Sequence, residues 1–359
     1  MRSARTRNSS QTRARGWLTL ALTLTLALAG CGPLQFGVGA RHTPVAPAAP
    51  PTIPLPPMLG AYHVFTTDLL TGAVASLGAQ TVSVSRSVHG LGLSSDGQWI
   101  YVTDVTGNRL VAYRIQDGRL TDQRAAATGA YPVHMVETAD QRYIAVTNFY
   151  GASISIISTQ TWRVIKTVAT PPGPHSIVLA PDGHTAYVGC YLGHAVVALD
   201  ITTQTLTGSV AFPALIKPYG LALSRDGRYL YVSDNFGGRL YVVDVADVAA
   251  QRLLTSLPIG KSPALIARAP DGRTLYVANG GSRSVSVVDI SADPAAPRVI
   301  ATVAVAGFPH GLAVTPDGRY VVVAGTSSGK LSVIDTLTSQ VIATVGGLRY
   351  PNDVVITGA

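Results

Sequence analysis

From residue 88 onward the chain alternates apolar and polar residues in short runs, and the runs recur at a fixed spacing. The stretch Pro309–Thr336 shows the unit. Leu312 and Val314 alternate with Gly311 and Ala313, an Asp317-Gly318 pair follows, and then come a Val-rich run and a second alternating run ending at Asp335. Period-two alternation places one face of a strand in a core, and Asp-Gly between two such runs marks a tight hairpin. Large residues on one face and small ones on the other let neighbouring sheets interdigitate.

Aligned on the residue that leads the unit, the repeats begin at Val88, Pro132, Pro174, Pro218, Pro263, Pro309 and Pro351, in steps of 44, 42, 44, 45, 46 and 42 residues. The turns read Asp96-Gly97, Asp140-Gln141, Asp182-Gly183, Asp226-Gly227, Asp271-Gly272 and Asp317-Gly318. A period of about 40–45 residues with four short strands per unit is the signature of a propeller blade. The predicted fold is therefore all-β, a seven-bladed β-propeller whose last blade is closed by N- and C-terminal strands. The final segment Pro351–Thr357 supplies that blade's first strand. Val64–Gly72 reads as its third strand and turn, by analogy with Val196–Thr203, and its second strand has no clear counterpart. Closure of this kind protects sheet edges.

The second strands carry Tyr101-Val102-Thr103-Asp104, Ala145-Val146-Thr147-Asn148, Tyr231-Val232-Ser233-Asp234 and Tyr276-Val277-Ala278-Asn279. Residues 88–357 resemble the YVTN-type β-propeller repeat family through these motifs. The resemblance implies a scaffold that hosts several activities, so function has to be sought in residues that break the repeat.

Apolar residues make up 47% of the chain and charged ones 13%, a core-rich composition. The formal charge of +8 is concentrated at the start. Arg2, Arg5, Arg7, Arg13 and Arg15 precede an apolar run, Trp17–Leu28, as in a secretory signal. Leu28-Ala29-Gly30-Cys31 resembles a bacterial lipobox, which implies lipidation of Cys31 after removal of residues 1–30. The remaining chain carries 22 Lys and Arg against 19 Asp and Glu. A balance so near neutral argues against a nucleic-acid partner. Residues 31–58 are rich in proline and read as an extended tether; residues 59–359 read as the propeller. The expected location is outside the cytoplasm, anchored to a membrane by the lipid. Cys190 is then the one remaining cysteine, a packing residue without a disulfide.

Chemistry is sought at the end of the ring that carries the loops leading into the first strands. The opposite end is nearly uniform, and its repeated Asp residues are turn-formers. One place after the leading residue the ring reads His89, Val133, His175, Tyr219, Ala264, His310 and Asn352, with His134 one place further on. Histidines around one axis either line a polar ligand mouth or bond to neighbouring loops; with no acidic residue in register, no metal and no cofactor is expected. Five places after the leading residue the ring reads Leu93, Glu137, Leu179, Leu223, Arg268, Val314 and Ile356. Glu137 is the only Glu in the chain, and a charge in a layer built for aliphatic residues needs a partner or water. Glu137 and Arg268 either bracket an anionic or hydroxylated ligand or each find a local partner. Phe149, Tyr150, Tyr191 and Lys217 decorate the same variable end. No nucleophile elbow, zinc-helix motif, phosphate loop or cysteine pair is present.

These features lead first to a non-catalytic scaffold that binds a protein or small molecule. The alternative is a lactonase-type hydrolase similar to 6-phosphogluconolactonase, with Glu137, His134 and Arg268 as its base and cation. A second alternative is binding of single-stranded nucleic acid.

Overall fold

A computed structural model of the chain describes residues 52–359. The expected signal, Cys31 and most of the tether lie outside the described residues. Seven four-stranded antiparallel sheets are present. Six are consecutive: β4–β7 (Val88–Ala127), β8–β11 (Pro132–Ala169), β12–β15 (Pro174–Ala211), β16–β19 (Pro218–Pro258), β20–β23 (Pro263–Ala304) and β24–β27 (Pro309–Val345). The seventh joins β28 (Pro351–Gly358) to β1 (Tyr62–Asp68), β2 (Ala73–Ser76) and β3 (Gln80–Ser83). The first strand of every blade packs against the first strand of the next, and β28 closes the ring between β24 and β4.

The composite blade departs from its sequence reading in one respect. Val64 lies on β1, which pairs directly with β28, Val64 opposite Ile356, and so takes the second place rather than the third. Phe65-Thr66-Thr67-Asp68 is the counterpart of Tyr101-Val102-Thr103-Asp104. Asp68 behaves accordingly: its carboxylate accepts the backbone N–H groups of Thr71, Arg349 and Tyr350. Asp104 likewise accepts the N–H of Gly107 at 2.7 Å.

Residues 53–59, most of them read from composition as part of a tether, pack on the propeller. Ile53 is buried and its carbonyl accepts the N–H of Gly78 at 2.7 Å. Leu55 and Met58 pack on the same cluster as Val345 and Ile356. Apolar side chains among the prolines found a surface to bury against, which composition alone does not reveal.

The core lies between blades. Tyr101, Leu110 and Ala112 of one blade meet Met135, Ile144 and Val146 of the next. A Cβ at Gly92 would come within 2.7 Å of Met135 Sδ, so the small face of one first strand makes room for the large face of another. The turn residues act as the sequence implies. Asp96, Asp226, Asp271 and Asp317 each accept the N–H two residues on, and the following glycines have φ of 70–76°. Gln141 adopts the same left-handed conformation at φ 58°. Cys190 is fully buried, and burial pushes its thiol up to about 12. Among the described residues no helix is long and apolar enough to cross a membrane.

Candidate functional site

Each first strand begins with an irregular pairing, and in four of the seven blades a second-strand hydroxyl repairs it. In the first blade the register slips between Val88 and Leu91. The N–H of Gly90, left without a strand partner, donates to Thr103 Oγ1 at 2.8 Å, and that hydroxyl donates to the carbonyl of Val133 in the next blade at 2.9 Å. Thr147 repeats this with His134 and His175, Ser233 with Gly220 and Ala264, and Thr67 with Asp353 and His89. The hydroxyls thus fix the backbone from which the central side chains project. A satisfied buried polar network of this kind gives a single rigid arrangement.

Four imidazoles meet where the first strands begin. The ring of His89 lies 5.2 Å from His134, 5.5 Å from His175 and 5.6 Å from His310, centroid to centroid. His134 and His175 are 5.1 Å apart. His134 sits one residue out of register, yet it joins the group because Gly90 leaves the room. A Cβ at Gly90 would come within 2.9 Å of His134 Nδ1. Tyr219 stacks on His175 at 3.9 Å and its hydroxyl lies 2.8 Å from His310 Nε2. His310 Nδ1 is 3.1 Å from the carbonyl of Asn352, which can only accept. Nδ1 therefore carries the proton, Nε2 accepts, and the Tyr219 hydroxyl donates. The Asn352 amide donates to the His89 carbonyl at 3.2 Å.

Sequence reasoning missed Asp353. It occupies the place held by His134 in the second blade and by glycine in Gly90, Gly220 and Gly311, so the same alignment one column further on contained the signal. Asp353 is 6% exposed. Its carboxylate accepts the N–H groups of Leu91 at 3.0 Å and Val354 at 2.9 Å and stands 3.8 Å from His134 Nδ1. Burial pushes the carboxyl up to about 6, against the opposing effect of the two N–H donors. Burial moves the imidazoles the other way, to about 3 for His134 and about 4 for His310, and well below the ordinary range for His89 and His175, where neighbouring imidazoles add to it. All four are neutral at pH 7. His89 Nδ1, His134 Nε2 and His175 Nδ1 are buried with no hydrogen-bond partner. Burying such atoms without a partner is costly. Among the described residues no set of His, Cys, Asp and Glu has metal-site geometry.

Aromatic loop residues roof the cluster. Phe149 lies 6.2 Å from His175 and 6.3 Å from Tyr191, and Tyr191 lies 5.8 Å from Tyr219. Lys217 Nζ is 5.4 Å from the Tyr191 ring.

Glu137 and Arg268 stand apart from this site. Glu137 is three residues beyond His134 on the same strand, about 10 Å of rise toward the Asp-Gly end. There it accepts the Tyr101 hydroxyl at 2.7 Å and the Ser95 N–H at 2.7 Å, both from the preceding blade. Its carboxylate is held by this local staple, and among the described residues no ion pair joins it to Arg268. Glu137 and His134 therefore sit in different layers of the channel, about 10 Å apart along one strand.

Closure through β28 and a polar centre framed by first strands define a seven-bladed β-propeller with a buried axial site. The chain belongs to the lactonase, 7-bladed beta-propeller family, whose profile matches residues 63–354. It is 30% identical over 98 residues to the Salmonella typhimurium protein YncE, a match that spans 27% of each chain. Its fold is similar to the periplasmic gluconolactonase PpgL of Pseudomonas aeruginosa, with a TM-score of 0.72 at 20% identity over 83% of this chain and 99% of that one. It is also similar to a chain of Kuenenia stuttgartiensis hydrazine synthase, with a TM-score of 0.64 at 18% identity over 77% and 98%.

Proposed function

We propose that the protein is a hydrolase of lactone rings and that the axial histidine cluster is its active site. The family favours this reading over a purely non-catalytic scaffold. The observation that carries it is the pair His134 and Asp353: a neutral imidazole with an unpartnered Nε2, backed at 3.8 Å by a buried carboxylate. In the proposed step, water gives a proton to His134 Nε2 while its oxygen attacks the lactone carbonyl carbon. Asp353, ionised above pH 6, stabilises the imidazolium. The ring C–O bond then breaks, and the imidazolium returns the proton to the departing oxygen. Base and backing carboxylate follow the logic of a nucleophile-activating dyad. Phe149 and Tyr191 exclude bulk water. The test is acid release from a panel of sugar δ-lactones, followed by pH-stat between pH 5 and 9. Release no faster than in buffer overturns the reading.

One observation favours a second reading, ligand binding without turnover. All four imidazoles are less than a tenth exposed and titrate well below neutrality, which weakens them as bases. Saturable binding of a lactone that is never hydrolysed would select it.

We further propose that the protein is exported and held at a membrane by a lipid on Cys31. Support comes from the basic and apolar segments preceding Leu28-Ala29-Gly30-Cys31. Radiolabelled palmitate incorporation that persists in Cys31→Ser would refute it. The near-neutral body gives no reason to add a nucleic acid to its partners.

A further inference from the structure

A second recess opens at the Asp-Gly end of the channel, between the third, fourth and fifth blades. Its volume is about 390 Å³, and Leu179, Leu221, Leu223 and Ile266 form its walls. The polar side chains that could bind a ligand there belong to Arg225 and Arg268, because Ser224 Oγ is spent on Asp226. The two arginines converge. A Cβ on Gly272 would lie 3.1 Å from Arg225 Cδ and 3.3 Å from Arg268 Nη1, so both pack against one residue. Arg225 makes a single weak bond, from Nη1 to the carbonyl of Asp271 at 3.3 Å. Arg268 is half-buried and, among the described residues, forms no ion pair; Asp271, whose charge acts on it, accepts the N–H of Arg273. Desolvation first, and the charge of Arg225 second, hold Arg268 below the usual guanidinium range.

Two like charges side by side in a partly dry recess destabilise each other unless an anion joins them. Guanidinium pairs recognise carboxylates through paired N–H donors. Walls of Leu and Ile, without aromatic rings or further donors, suit an alkyl chain rather than a sugar. We propose that this recess binds an aliphatic monocarboxylate, its head between Arg225 and Arg268 and its chain along the aliphatic layer of the channel. The site is separate from the histidine cluster and does not depend on hydrolysis, so the failure of either reading leaves the other standing.

The test is calorimetric titration of the full chain with sodium octanoate, alongside octanol and octyltrimethylammonium. Octanoate is expected to bind saturably at one site, with octanol at least about tenfold weaker and the cation silent. Arg268→Leu gives this position the residue that the third and fourth blades carry there, so the variant should fold. It should weaken octanoate by at least about tenfold. Arg225→Gln provides the same measurement with Arg268 in place. Wild-type protein that shows no saturable octanoate binding overturns the proposal. So does octanoate affinity unchanged in both variants, or octanol binding as tightly as octanoate.

Discussion

Asp353 reaches across the whole first blade to stand 3.8 Å from His134. One residue comes from the strand that closes the ring and the other from the second blade, so the dyad exists only when the propeller is shut. Leu91 holds the carboxylate by its N–H, and Gly90 clears the gap toward the imidazole.

This carboxyl predicts a pH dependence of stability. Its folded value of about 6 lies above the ordinary 3.8, so the protonated form is the one favoured by folding. The associated stability is complete below about pH 4 and is lost as pH rises through 6, a change of about 3 kcal/mol. Urea unfolding of wild type and Asp353→Asn at pH 4, 5, 6 and 7 reads it. The variant should gain on wild type by about that amount across the range; a constant difference would contradict it.

The imidazoles act in the opposite direction. His310 falls to about 4 and His134 to about 3 in the folded state. Their stabilising share is present above the unfolded value near 6.5 and is lost as pH falls toward 4 and 3. His310→Gln should therefore lose about 3 kcal/mol less than wild type between pH 7 and 4. Parallel loss in the two proteins would show that His310 is protonated freely in the folded state.

Glu137 is predicted to be structural. Glu137→Leu strands the Tyr101 hydroxyl and the Ser95 N–H and should cost about 2–4 kcal/mol. Adding Tyr101→Phe should recover part of that, the mark of a coupled pair. Lactone turnover by the folded single variant should stay within about twofold of wild type. A loss of two orders of magnitude without unfolding would return Glu137 to the active site.

The architecture was legible because spacing is a local property. The steps between leading residues, the Asp-Gly turns and the period-two runs each report one blade without reference to the others. Blade closure is legible in outline, but Leu69-Leu70-Thr71-Gly72 resembles a third-strand turn and so places Val64 one strand too far out. The Asp68 carboxylate, bonded to Arg349 and Tyr350, needed the other end of the chain to be seen. The histidines at positions 89, 175 and 310 were found by register. Their neutrality, and the role of Asp353, depend on burial among residues from six blades, which no column of the repeat records.

Gly90→Ala probes the gap itself. The added methyl would overlap the carbonyl of Val133 and crowd His134 Nδ1. The backbone partner cannot swing aside, so a loss of about 2–4 kcal/mol is expected by thermal or urea unfolding. An unchanged melting temperature would mean that the first two blades are less tightly docked than described.

The most direct measurement is the rate of δ-lactone hydrolysis by wild type, His134→Gln and Asp353→Asn, all confirmed folded. The account predicts turnover by the wild type and a fall in kcat of about 10²-fold or more in His134→Gln. It also predicts a smaller fall in Asp353→Asn that shifts the pH profile. Wild-type protein no faster than buffer, or His134→Gln as fast as wild type, would contradict it.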